Sequence, residues 1–307
     1  AGTSIAIVVM WNYDVTEERA VEVSAELKRR KKKKISAPSF YQLNKLQNFT
    51  SLSPSATLTT DLDFSNLSHS ELQSQFNNTF NQGLHGLCFG AYAKGQNIGD
   101  QLSQEQITRR INIIAPHTTW VRSFSCSEGH EHIPVAAKTK DLKTMVGAWI
   151  SGDRRKNEIE IQNLIQLGKN GLVDIAVVGN EVLLRNELSE EELLDYIYQL
   201  KRELPGIPVG YVDAYYQFHE RPKVAEACDV ILANCYPFWE GYSIDKATAY
   251  LKQMYDVAKN AAKGKRVIIT ETGWPNAGEN FDQAIPSEGN SMQYFVNTQT
   301  WAKENAI

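Results

Sequence analysis

Cysteine is scarce in this chain. Four residues, Cys88, Cys126, Cys228 and Cys235, stand among 307, and no two of them form a CxxC pair or show metal-like spacing. That argues against a zinc ribbon or a dithiol redox motif and leaves buried thiols as the expectation. Long apolar runs are missing too. The longest aliphatic stretch, Ile5 to Met10, falls far short of the roughly 20 residues a membrane-spanning helix needs, so no span is expected. Positive charge is in no surplus: 32 Lys and Arg against 36 Asp and Glu give a net charge of −4. Gripping a nucleic-acid backbone demands clustered cations, so nucleic acid is not an expected partner. No GxGxxG or GxxxxGK[ST] pattern is present to cradle a phosphate, and no GxSxG elbow to present a serine nucleophile.

What is present is a globular composition, 42% hydrophobic and 22% charged, in a length that suits one large α/β barrel or two smaller domains. The chain changes character near residue 83. Residues 1–83 open on Ile5 to Met10 and a helix-like segment from Val15 to about Lys28, then carry the basic run Arg29 to Lys34. A Ser/Thr/Asn-rich stretch follows to Asn81, with the composition of a linker or loosely packed extension. With nine basic residues against eight acidic ones, the region is no basic arm, and the run reads as a solvated helix end. Sequons at Asn48, Asn66 and Asn77 carry weight only in a secreted eukaryotic protein.

From Leu84 onward short β-prone runs alternate with helical stretches, the signature of repeated β-α units around a parallel sheet. The runs cover residues 86–92, 118–124, 144–150, 173–178, 208–212, 230–235 and 267–270, with helices expected over 104–114, 157–167, 189–203, 244–262 and 291–305. Seven such units imply an eight-stranded (β/α)8 TIM barrel whose eighth strand is not evident. Residues 84–307 are therefore taken as the barrel domain and 1–83 as an N-terminal extension. Ile5 to Met10 followed by a helix is itself a β-α unit, so a permuted closure of the barrel is one reading of that extension, and a linker is the other.

Barrel chemistry sits at the C-terminal ends of the strands. The fourth run ends Val177-Val-Gly-Asn180-Glu181, and the seventh ends Ile269-Thr-Glu271-Thr-Gly-Trp274-Pro275. Each delivers a carboxylate to the same mouth. Either one alone would read as an ordinary loop carboxylate. Together they are what glycoside cleavage requires: one acid to protonate the leaving oxygen, and one carboxylate to attack the sugar or activate water. Asn180 could hold the sugar 2-hydroxyl, and Trp274 offers a flat face for a pyranose.

The set Gly179-Asn-Glu181 and Thr270-Glu-Thr-Gly-Trp-Pro275 resembles glycoside hydrolase family 17, the β-1,3-glucanases and related glucanosyltransferases, and is closest to microbial members. Val121-Arg-Ser-Phe-Ser-Cys126, Met145-Val-Gly-Ala-Trp149, Val209-Gly-Tyr-Val-Asp-Ala214 and Asn234-Cys-Tyr-Pro-Phe-Trp239 extend the resemblance over residues 86–302. It implies a (β/α)8 barrel and a retaining double displacement on β-1,3-glucan without a cofactor. It also implies Glu181 as general acid/base and Glu271 as nucleophile. A monomer acting outside the cell or in its envelope is the matching expectation. The chain begins at Ala1 without Met, as it would after removal of a leader.

Tyr92, Arg122, Tyr211, Asp213, Asn234, Tyr236 and Trp239 lie at or just beyond strand ends and are expected to line the mouth. Tyr236 and Arg122 are expected to hold Glu271 by hydrogen bond and charge, while Tyr211, Tyr236 and Trp239 are candidate sugar platforms or else packing residues. Glu288 either reaches the cleft or caps the following helix. Glu128-Gly-His130-Glu-His132 contains zinc-ligand types, but not at the spacing of a helical HExxH, and it reads as a loop with no metal. The same carboxylate pair would serve a glucanosyltransferase, and a barrel that only binds glucan is the non-enzymatic alternative. A Schiff-base lyase would need a strand-end lysine, and none of the seven runs supplies one.

Overall fold

The computed structural model describes Ile7–Val8, Leu62, Phe64 and residues 66–305. The expected helix over 15–28, the basic run and the Asn48 sequon lie outside the described residues. Asn66 and Asn77 are both exposed.

Seven parallel strands alternate with helices in a nearly closed barrel: β2 (Leu84–Cys88), β3 (Thr118–Arg122), β4 (Lys143–Ala148), β5 (Ile175–Asn180), β6 (Val209–Ala214), β7 (Val230–Asn234) and β8 (Arg266–Glu271). Each pairs in parallel with the next. A two-residue strand, β1 (Ile7–Val8), joins them, pairing with Gly86 and Leu87. Its Cα atoms also lie within 8 Å of β8. The apolar run at the start of the chain thus contributes a strand on the side of the barrel where the sequence shows none.

The helices are α1 (His69–Asn81), α2 (Gln104–Ile114), α3 (His132–Lys138), α4 (Arg154–Lys169), α5 (Glu190–Glu203), the short α6 (Gln217–Glu220) and α7 (Pro222–Ala227), then α8 (Ile244–Ala261) and α9 (Glu288–Glu304). Helix α5 starts where its sequence says, with Ser189 and Glu192 in a reciprocal capping box. Helix α1 lies inside the stretch whose polar composition resembles a linker. Its own box, Ser68 with Glu71, starts it, and Leu72, Phe76 and Phe80 recur every four residues on one face. Those residues pack with Phe64, Met292 and Phe295 of the last helix, the Phe76 and Phe295 rings at 4.7 Å. Three apolar positions spaced along one stripe are enough for a helix to dock, even where Ser, Asn and Gln dominate the composition.

The barrel interior holds Trp120, Met145, Ile175, Val177, Val212, Val230, Leu232 and Ile268. These stand at every second position of their strands, as a pleated sheet demands, and fill the barrel in layers. The intervening residues face the helices in a second, larger apolar layer. All four cysteines are free thiols, three of them buried and Cys88 half-buried.

Candidate active site

Two residues above the apolar layers, the inward positions turn polar. Arg122 follows Trp120, Asn234 follows Leu232 and Thr270 follows Ile268, each on the inward face of its strand. Arg122 and Asn234 are buried, so their polar atoms need partners. They find them in one another's neighbours. Thr270 Oγ1 donates to Asn234 Oδ1 at 2.9 Å, and Asn234 Nδ2 donates to Glu181 Oε1 at 2.9 Å. Arg122 donates from Nη1 to Glu271 Oε1 at 2.6 Å and from Nη2 to Asn180 Oδ1 at 2.9 Å. Tyr236 Oη donates to the other oxygen of Glu271 at 2.9 Å. With Asn234 Nδ2 also 3.5 Å from Asn180 Oδ1, seven side chains from β3, β5, β7, β8 and the loops that follow them form one network across the barrel mouth.

Strict alternation would not bring consecutive residues into this network. Thr270 faces inward, so Glu271 should turn out, and the same parity problem separates Asn180 from Glu181. Both places carry a register shift, between Ala233 and Asn234 against β8 and between Val177 and Asn180 against β6. Such irregularities re-aim side chains near active sites. At β5 the backbone bends further, with φ of +73° at Gly179 and +55° at Glu181. A Cβ on Gly179 would stand 3.2 Å from both Ile150 Cβ and Val182 Cγ1. Glutamate seldom occupies the left-handed region, and such residues cluster at functional sites.

The hydrogen-bond partners of the two carboxylates differ. Burial works against the charge of Arg122, and Glu271 together with Cys88 offsets it, holding the guanidinium above its usual range. Burial and the neighbouring Glu271 charge push the Tyr236 phenol well above its ordinary value, so it stays a donor. Burial also pushes the Cys88 thiol up to about 12. It stays protonated and donates to the Thr270 carbonyl at 3.2 Å, which removes it as a competing nucleophile. Glu271 is thus held by a cation and a phenol, and Glu181 by a neutral amide.

Three residues expected at the mouth, Tyr211, Asp213 and Trp274, are buried instead. Tyr211 is no sugar platform. Its ring is completely buried among the helices, because Val212, not Tyr211, takes the inward position on β6. Asp213 shares that outward parity and is fully buried, accepting from the Tyr211 hydroxyl and the Ala214 amide. Trp274 is buried as well, its ring between Phe238 and Tyr294 and its indole N–H on the Ile285 carbonyl at 2.9 Å. It ties down the loop after β8 and offers no open face. Trp239 is half-buried against Phe238 and Phe281. Tyr92 rests edge-on against His130 at 5.3 Å. Glu288 begins α9 and faces His69 of α1 at 3.9 Å, on the outer ring of helices. His130 is buried with Nδ1 3.0 Å from the Ser127 carbonyl oxygen, and His132 starts a helix. Among the described residues no group of three or more His, Cys, Asp or Glu side chains is arranged to hold a metal ion.

One aromatic missed as a site residue is Trp149, the first residue beyond β4. It is 41% exposed, and Arg185 sits 5.0 Å from its ring centroid. Its backbone N–H donates to the buried Glu160 carboxylate at 3.0 Å, which also takes the Cys126 amide at 2.7 Å. The available signal was its place at a strand's end. A half-buried carboxylate in the loop after β7, Glu240, accepts from the Tyr215 and Tyr250 hydroxyls. Burial pushes it up to about 7. Between the ordinary carboxyl value and pH 7 the native state then keeps a proton the unfolded chain releases, so stability should fall as pH rises through that window and level off above it. The difference is on the order of 3 kcal/mol. Glu240→Gln should flatten the slope, read as Tm at pH 4.5 and 7.5. Equal slopes in the two proteins would show that Glu240 does not titrate as described.

A profile of the BtgE/BtgC glycoside hydrolase domain matches residues 86–307, a span that includes every residue of this network. The chain belongs to that family. Among solved structures, the glycoside hydrolase family 17 β-1,3-glucanosyltransferase from Rhizomucor miehei is 30% identical, with a TM-score of 0.66 over 75% of this chain and 85% of that one. Its active-site mutant in complex with laminaritriose is similarly alike, at 29% identity and a TM-score of 0.67, covering 74% of this chain and 85% of that one. A probable glucan endo-1,3-β-glucosidase from Aspergillus niger is 30% identical over 60% of this chain and 47% of its own. A glucan 1,3-β-glucosidase from Saccharomyces cerevisiae is 24% identical over 65% of this chain and 71% of its own. The family 17 resemblance of the motifs is thus shown over most of the barrel. The chain spans about half the length of the Aspergillus niger and Emericella nidulans relatives it matches. No described helix is long and apolar enough to cross a membrane.

Proposed function

We propose that the chain is a retaining glycosidase acting on β-1,3-glucan, with Glu271 as nucleophile and Glu181 as general acid/base. The observation that carries the reading is the unequal holding of the two carboxylates. A cation and a phenol on Glu271 suit a group that bears charge and bonds to an anomeric carbon. Glu181, on a neutral amide, suits one that carries and returns a proton. In the first step a Glu271 oxygen bonds to the anomeric carbon as the glycosidic C–O bond breaks, and the Glu181 proton passes to the departing oxygen. In the second, an acceptor hydroxyl attacks the same carbon, gives its proton to Glu181 and releases Glu271. This scheme calls for carboxyl groups about 5–5.5 Å apart. Asn180, its oxygen engaged by Arg122, is left to act on the sugar 2-hydroxyl through its amide N–H. Trp149 offers the exposed face on which a sugar ring can stack. Residues 84–307, with β1 and α1 packed on them, would be the catalytic unit, acting as a monomer outside the cell or in its envelope, where polymeric glucan lies.

A second reading has the acceptor as a sugar and not water, making the enzyme a glucanosyltransferase. The likeness to the Rhizomucor miehei transferase favours it. Incubating the protein with a soluble β-1,3-glucan and sizing the products over time separates the two. Shorter products alone indicate hydrolysis, and products longer than the substrate indicate transfer. An unchanged size distribution would sink both and leave a glucan-binding barrel.

A further inference from the structure

Glu181 sits in a backbone conformation that a glutamate does not favour, with φ of +55°, and something must keep it there. From above, its N–H donates to the Val212 carbonyl at 2.8 Å and its carbonyl accepts from Arg185 N at 2.9 Å. The rest of the turn, Val182-Leu183-Leu184, is anchored from the helix side of β6. Leu183 N donates to the Tyr211 hydroxyl at 3.0 Å, and the Tyr211 hydroxyl donates to Asp213 Oδ2. Asp213 Oδ1 takes its own following amide, Ala214 N, at 2.8 Å. Both side chains are completely buried, so no solvent can substitute for these bonds.

We infer that Asp213 and Tyr211 are positioning residues for Glu181, clamping the Leu183 amide two residues beyond it so that the strained turn presents its carboxyl to the barrel mouth. The inference rests on the reading of Glu181 as acid/base. A buried aspartate is a costly way to hold one tyrosine hydroxyl and its own following amide. Burial and the Glu181 charge push Asp213 up to about 7, a shift that ties the clamp electrically to the residue it holds. Tyr211 keeps the contact local: its hydroxyl passes the Asp213 charge to an amide it accepts from. The pair sits in the apolar layer away from the substrate, so its effect on the reaction has to run through the geometry of Glu181.

A misplaced acid/base hurts only reactions whose leaving group needs its proton. The test is therefore kcat/KM on two substrates, laminaritetraose, whose departing hydroxyl must be protonated, and a 2,4-dinitrophenyl β-laminaribioside, whose departing phenolate need not be. Asp213→Asn and the milder Tyr211→Phe should lose about 10²-fold on the oligosaccharide, the scale of a small misplacement. Both should stay within a few-fold of wild type on the activated substrate. Glu181→Ala runs alongside as the reference. If it shows no split between the substrates, the acid/base reading of Glu181 fails. If it shows the split while Asp213→Asn and Tyr211→Phe lose both activities equally, or neither, the positioning role is overturned. Should Asp213→Asn not fold, Tyr211→Phe, which removes one oxygen, carries the same comparison.

Discussion

Replacing Glu271 by Gln is expected to abolish turnover of β-1,3-glucan while leaving glucan binding within a few-fold of wild type. Gln keeps the shape, with its oxygen on Arg122 and its amide N–H turned to the Tyr236 oxygen in place of the second carboxylate oxygen, so the mouth should retain its form although the loss of Arg122's counter-charge lowers stability. It cannot form the glycosyl ester, because an amide oxygen is a poor nucleophile and the charge that drives attack is gone. Removing a group that bonds to the reacting atom costs on the order of 10⁴-fold or more in kcat. The comparison pairs product formation with binding of laminarin by calorimetry. A variant that still cleaves glucan at a tenth of the wild-type rate would move the nucleophile away from Glu271. One that neither cleaves nor binds would show that Glu271 supports the fold first.

Arg122→Ala is expected to have the largest combined effect on stability and activity. Its guanidinium is 1% exposed and its partner Glu271 13%, so the pair has left most of its water behind. Taking away one member strands the other in a poorly solvated place, which typically costs about 3–5 kcal/mol. The same deletion also releases Asn180 from Nη2, loosening the residue proposed to hold the 2-hydroxyl. Activity should fall on the order of 10³-fold, the scale of losing a preorganised charge at a reacting centre. Arg122→Lys keeps the charge but not the two-pronged reach to Glu271 and Asn180, so it should recover part of the stability and little of the activity. Urea unfolding midpoints beside kcat decide this. An unchanged midpoint for Arg122→Ala would show that the pair contributes nothing to folding.

The seven strands of the barrel were readable because their apolar residues lie in continuous runs, which only a sheet covered on both faces needs. The same continuity hides parity. In Val209-Gly-Tyr-Val-Asp213 every position but one is apolar or lacks a side chain, so nothing local says whether Tyr211 or Val212 faces inward. Tyr211 and Asp213 were read as mouth residues for that reason, and the packed barrel turns them to the helices. Trp274 misled differently. A tryptophan beside a strand-end carboxylate has the chemistry of a sugar platform, but Phe238 and Tyr294, distant in sequence, fold over it. Helix α1 lies in a stretch whose Ser, Asn and Gln content masks its helical signals, the Ser68-x-x-Glu71 box and the Leu72, Phe76, Phe80 spacing.

By itself the sequence determined the repeating β-α architecture and the arrival of Glu181 and Glu271 at the same end of the barrel, since both follow from where apolar runs stop. Only the tertiary structure decided how those carboxylates are held. Arg122 and Asn180 come from β3 and β5, Asn234 and Tyr236 from the end of β7 and its loop, and their partnership depends on register. At β5 and β8 that register shifts, and Glu181 adopts a left-handed φ. Such choices cost little locally and are settled by the hydrogen bonds of neighbouring strands, which no stretch of sequence contains.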